Sequence, residues 1–121
     1  MQAVVNELAK IADVTIDNWV VYNNIDDQPR HYVLMLENKE GKYLTVYQEK
    51  ANEILSEKKP RFGIVLFSGV YGKMTIQNLK FGAQEEWRKK TIASGTVQEQ
   101  VKPVRILDNE TKEKFFLDRV I

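Results

Sequence analysis

The spacing of hydrophobic positions changes several times along the chain, and each change predicts an element. Over residues 2–12, Val4, Leu8 and Ile11 recur at helical spacing, Val5 and Ala12 flank them, and Asn6, Glu7 and Lys10 fall on the other side. This predicts a short amphipathic helix, which must pack on another element to persist. Thr15 to Asn23 carries Ile16, Trp19, Val20, Val21 and Tyr22, the β-branched and aromatic types that fill strands. Asn23 to Pro29 is dense in Asn and Asp and ends in Pro, which predicts a surface loop. His31 to Glu37 alternates, with Tyr32, Leu34 and Leu36 on one face and Val33 and Met35 on the other. Both faces are apolar, so the sheet is predicted to be covered on one side and partly shielded on the other. Asn38-Lys39-Glu40-Gly41 supplies a turn and Tyr43 to Tyr47 returns, predicting a hairpin.

Glu49 to Lys58 reverts to helical spacing, with Tyr47, Ala51, Ile54 and Leu55 on one stripe, and Pro60 closes it. Pro60 to Phe81 holds the longest apolar run, Ile64-Val65-Leu66-Phe67, followed by an alternating segment through Met74 and Ile76. Two central strands follow from it, Arg61 to Tyr71 and Lys73 to Phe81, with Gly69 and Gly72 at their connection. Gln84 to Lys90 is a helical turn or an exposed loop, Val97 to Ile106 an interrupted strand pushed to an edge by Pro103, and Lys114 to Ile121 a terminal strand. The order predicts an α+β domain spanning 1–121. Its sheet is mainly antiparallel, open or curled into an OB- or SH3-like barrel, with an N-terminal helix and a second short helix near 49–58.

Composition changes this picture little: 43% hydrophobic and 29% charged residues are ordinary for a packed domain. No apolar run reaches the length of a membrane span, and the N-terminus lacks the order of a secretion signal. The absence of cysteine removes disulfides and thiolate metal sites, and a cytoplasmic setting in a bacterial or viral context is expected.

Charge changes it more, because the formal net charge of +1 conceals a segmental asymmetry. Residues 1–57 carry five Lys and Arg against ten Asp and Glu; residues 58–90 carry eight against two. The basic segment interleaves Lys58, Lys59, Arg61, Tyr71, Lys73, Lys80, Trp87, Arg88, Lys89 and Lys90, with Phe62 and Phe81 beside them. Cations that neutralise phosphates, alternating with rings that stack bases, are what single-stranded nucleic acids require. The leading expectation is therefore a non-enzymatic nucleic-acid-binding domain. A protein-binding module, as inhibitor, adaptor or self-associating assembly subunit, is the alternative that the same asymmetry supports. A third reading is a pocket in which Trp19, Tyr32, Tyr43 and Arg61 line an anionic ligand.

Catalytic patterns are incomplete. His31 is the sole histidine, Ser68 lacks a nucleophile-elbow context, and the glycines Gly63, Gly69 and Gly72 fit neither phosphate-loop spacing. Asp26 and Asp27 stop short of a calcium loop. No metal, cofactor or membrane partner is called for.

Overall fold

The computed structural model describes residues 1–95 and 102–121. Among them the chain forms α1 (Gln2–Ala12), β1 (Ile16–Asn24), β2 (His31–Asn38), a 3-10 turn (Thr45–Tyr47), α2 (Gln48–Lys58), α3 (Pro60–Ser68), β3 (Thr75–Asn78), α4 (Ala83–Ala93) and α5 (Glu110–Leu117). The sheet order is β1-β2-β3, antiparallel between the first two and parallel between the last two. An α+β fold is as expected. The sheet is mixed rather than mainly antiparallel, and it stays open instead of closing into a barrel.

Central β2 explains the layering. Val33 to Asn38 is buried without a break, because both faces are covered. Leu34 and Leu36 face Val4, Val5 and Leu8 of α1, Ile54 and Leu55 of α2, and Met74 and Ile76 beside them. Val33 and Met35 face Val20, Leu79, Ala83, Val104, Leu107, Phe115 and Phe116. A parallel neighbour needs a crossover, and α2 and α3 provide it between β2 and β3.

α1, β1, β2 and α2 form where the hydrophobic spacing places them; four expectations fail. Tyr43 to Tyr47 does not return as a strand, since β1 and β3 already occupy both edges of β2. Arg61 to Tyr71 is no strand either: Pro60 sits in the first turn of α3 and Gly69 ends it at φ 78°. Pro at a helix start and a left-handed Gly just past its end are helix punctuation, and a four-residue apolar run fits either element. Of the second central strand, only Thr75–Asn78 is regular. Lys114 to Ile121 is mostly α5, started by Asn109, whose side chain accepts from Lys112 N at 2.9 Å. The end of the chain is nonetheless tied to the sheet, through Ile121 N to Asn78 O at 3.0 Å and a bridge between Val120 and Leu79. The expected strand from Val97 lies outside the described residues as far as 101. Beyond them, Val21 N donates to Arg105 O at 2.8 Å and Leu107 N to Val21 O at 3.1 Å, covering the middle of β1.

The outer edge of β3 is closed by side chains. Asn52 of α2 accepts from Met74 N and donates to Met74 O, both at 2.8 Å. Gln48 accepts from Ile76 N at 3.1 Å and Thr45 Oγ1 donates to Ile76 O at 3.3 Å. Buried Gln84 clamps Val104 in the same two-handed way, at 3.1 Å and 2.5 Å.

Candidate functional site

The basic and aromatic residues of 58–90 do not converge. Lys58 pairs with Glu7 of α1 at 3.0 Å, Lys73 with Glu49 of α2 at 2.9 Å, Lys80 with Glu86 at 3.6 Å, and Arg88 with Glu85 at 2.9 Å. The acids of the first half thus neutralise part of the basic segment across elements. Trp87 is no stacking platform. Its ring packs edge-on against Phe115 at 5.1 Å and tilted against Phe116 at 5.8 Å, with the Lys90 ammonium 5.7 Å above it. Tyr71 stacks flat on Tyr32 at 5.1 Å and takes a hydrogen bond from Asn23 on its hydroxyl. Arg61 and Lys89 are exposed on α3 and α4 respectively, and Lys59 joins α2 to α3. These positions are divided among α2, α3, α4 and the loops on either side of β3, and among the described residues no cavity gathers more than two of them.

Besides a hollow of about 510 Å³ between Lys90, Thr111, Lys114, Phe115, Asp118 and Arg119, three cavities have defined walls. A shallow cleft of about 350 Å³ is lined by Asp27, Gln28, Pro29, His31, Gly72, Lys73 and Thr75. Gly72 is required there: a Cβ would lie 2.8 Å from Pro29 Cγ, and Gly72 N donates to Arg30 O at 2.7 Å. Tyr71-Gly72-Lys73 therefore turns the chain against the 25–31 loop. Lys73 extends towards Glu49, so the cleft gathers one acid, one histidine and an already paired lysine.

The second cavity, about 170 Å³, lies between Asn18, Gln84, Glu85, Trp87, Arg88, Lys102 and Pro103. Behind it is Glu37, 1% exposed, whose Oε1 accepts from Gln84 N at 3.4 Å at the start of α4. Its Oε2 has no partner among the described residues. Burial pushes the Glu37 carboxyl above its ordinary pKa, while the N–H groups of Gln84, Ala83 and Gly82 and the Asn18 side chain work against that rise.

The third is a groove of about 340 Å³ walled by Met1, Trp19, Val21, Tyr32, Leu55, Lys59, Phe62, Arg105 and Ile106. It brings Trp19 and Tyr32 together, as the anionic-pocket reading expected, but with Arg105 in place of Arg61. Tyr43 is 62% exposed and does not line it. The Arg105 guanidinium lies 4.9 Å from the Trp19 ring centre and donates to Trp19 O at 3.1 Å. Burial lowers its pKa, against the field of Glu37. Neither Glu37 nor Arg105 was singled out from the sequence. Glu37 ends an apolar strand as an ordinary polar terminus does, and Arg105 sits in a segment whose path depends on contacts with β1.

An open mixed sheet between two helical layers, its β3 edge closed by side chains and the middle of its β1 edge by the 105–107 backbone, defines a small α+β domain of layered type. The GH3 family C-terminal domain is matched over residues 1–111, and the chain belongs to that family. Among solved structures, it is similar to a GH3.15 acyl acid amido synthetase, with a TM-score of 0.83 and 22% identity over 99% of this chain. It is also similar to AtGH3.15 acyl acid amido synthetase in complex with 2,4-DB, at 0.81 and 22% over the same share. At that identity the likeness is one of fold. The chain spans 23% of the length of each of these solved chains. No curated protein matches it.

These findings overturn the nucleic-acid-binding expectation, the protein-binding module offered as its alternative, and the viral setting attached to them. The chain corresponds to one domain of an enzyme family. Among the described residues, no helix is long and apolar enough to cross a membrane.

Proposed function

We propose that the chain works as the C-terminal domain of an enzyme that joins an acyl acid to an amine, packed against a larger body and in a cytoplasmic setting. The family match over residues 1–111 carries this reading, and the solved chains of the same fold, named as acyl acid amido synthetases, supply the reaction class. The chemistry fits a divided enzyme. A carboxylate does not condense with an amine until it is activated, and an activated acyl group must be kept from water. A small domain closing on a larger one is a general way to do both.

Within the chain itself, apolar residues remain on the surface for such packing. Ile64 of α3 is 68% exposed, and Val70 and Ile106 are each 62% exposed. Scattered exposed hydrophobes are normal, but α3 is apolar along most of its length and still presents Ile64 outward.

The test is amide formation followed by mass spectrometry, with an acyl acid, an amino acid and a nucleoside triphosphate supplied. The chain alone is expected to give no product. A GH3 synthetase stripped of its own C-terminal domain and fused to this chain is expected to recover turnover above the truncated enzyme. Turnover by the chain alone, or a folded fusion no better than the truncated enzyme, would overturn the reading.

A further inference from the structure

The hollow between α4 and α5 takes no part in the reading above. Four of its walls, Lys114, Phe115, Asp118 and Arg119, follow the stretch that the family match covers. Its charges are unequal in sign. Lys90 and Lys114 meet no carboxylate within ion-pair distance among the described residues. Arg119 is held in place: Nε donates to Glu86 Oε2 and Nη1 to Phe115 O, both at 2.8 Å. Glu86 is shared with Lys80, so it offsets Arg119 only in part. Asp118 is the single acid among the walls, and Thr111 adds a hydroxyl. The aromatic floor is already covered. Phe115 is 8% exposed, with the Arg119 guanidinium 3.6 Å and the Lys90 ammonium 5.3 Å from its ring centre and Trp87 edge-on at 5.1 Å. A nucleobase or an apolar tail has no free ring to lie on there, whereas a small oxyanion is served by the side-chain tips.

We propose that this hollow binds inorganic phosphate as the hydrogen phosphate ion, its oxygens between Lys90, Lys114 and Arg119 and its one hydroxyl on Asp118. Lysine ammoniums are compact point charges that suit phosphate oxygens, and Arg119 spends two of its five N–H donors inside the fold. Asp118 decides which oxyanion is taken. A carboxylate repels a fully ionised oxyanion such as sulfate, but it accepts a hydrogen bond from the proton that hydrogen phosphate keeps near neutral pH. A phosphate monoester in its dianionic form lacks that proton and is disfavoured for the same reason. The inference rests on the hollow and not on the synthetase reading.

The experiment titrates the chain at neutral pH and matched ionic strength with inorganic phosphate, with sulfate and with glycerol 3-phosphate. Nuclear magnetic resonance follows the backbone amides of Thr111, Lys114, Phe115 and Arg119. Saturable shifts are expected with phosphate, and binding about tenfold weaker with sulfate, the equivalent of one charge-assisted hydrogen bond. Glycerol 3-phosphate should also bind more weakly than inorganic phosphate. Lys90→Gln and Lys114→Gln should each weaken phosphate binding several-fold. Lys114 is exposed, so its variant keeps the inference falsifiable even if Lys90→Gln, which uncovers the Trp87 and Phe115 rings, disturbs the fold. Asp118→Asn, a change of charge at constant shape, should bring phosphate and sulfate to nearly equal affinity. Absence of saturation, shifts confined to other surfaces, or sulfate or glycerol 3-phosphate binding as tightly as phosphate would each overturn the assignment. So would undiminished phosphate binding in Lys114→Gln or an undiminished preference over sulfate in Asp118→Asn. No amide-forming activity is read, so this result stands apart from the outcome of the turnover assay.

Discussion

Asn52 does for Met74 what a neighbouring strand does for other residues of a sheet, with one amide meeting both the N–H and the C=O. Replacing it with Leu leaves two buried backbone groups without partners, at about 1–3 kcal/mol each. Asn52→Leu should therefore lower the unfolding free energy by about 2–6 kcal/mol, read from urea denaturation. Glu37 carries the opposite lesson. Its folded-state pKa is raised by burial, so the folded chain holds a proton that the unfolded chain has already released. Stability then falls as pH rises from the unfolded value through the folded one, and the ionised group costs stability above that window. Glu37→Gln keeps an acceptor for the Gln84 N–H and removes the charge. It should raise the denaturation midpoint at pH well above the ordinary carboxylate range and flatten its pH dependence just above that range. An unchanged slope would show that Glu37 does not titrate in that range.

At the scale of elements, what the sequence made legible was what periodicity alone decides. α1 and α2 have long stripes, and β1 and β2 have β-branched and aromatic runs that no helix signal contradicts. Pro60–Ser68 was misread because four apolar residues carry no period, although Pro60 and Gly69 already punctuated a helix. The same holds for α5, whose Asn109 cap and acidic Glu110 and Glu113 were in view while Phe115-Phe116-Leu117 suggested a strand. The segment after 101 was illegible for another reason. Its place on β1 is set by Gln84, a residue 20 positions earlier in the chain, through the two bonds to Val104. Gln84→Ala should cost about 2–4 kcal/mol by orphaning two buried groups and should speed hydrogen exchange at Val104, with that at the centre of β2 much less affected. Equal acceleration at both would mean that the clamp is part of one global unit. Gly72→Ala tests the other close approach. A Cβ 2.8 Å from Pro29 Cγ forces the 25–31 loop to shift, at about 1–3 kcal/mol.

The whole molecule turns the charge asymmetry inward on itself. Lys58 to Glu7, Lys73 to Glu49, and Lys80 and Arg119 to Glu86 tie different elements together, so a sign pattern that resembled a polyanion footprint is partly consumed by intramolecular pairs. Such exposed pairs contribute about 0–1 kcal/mol each, and raising salt from about 0.05 to 0.5 M should shift the unfolding midpoint only slightly. The bonds that close the sheet respond to neither salt nor protons, because carboxamides and hydroxyls do not ionise in the working range. Met74 and Ile76 on one side, and Val21 and the Trp19 carbonyl on the other, already have their ladder groups occupied by Asn52, Gln48, Thr45 and the 105–107 segment. A strand arriving from another polypeptide finds no vacant rungs at these positions. At these positions a partner meets side-chain faces and cannot lengthen the sheet.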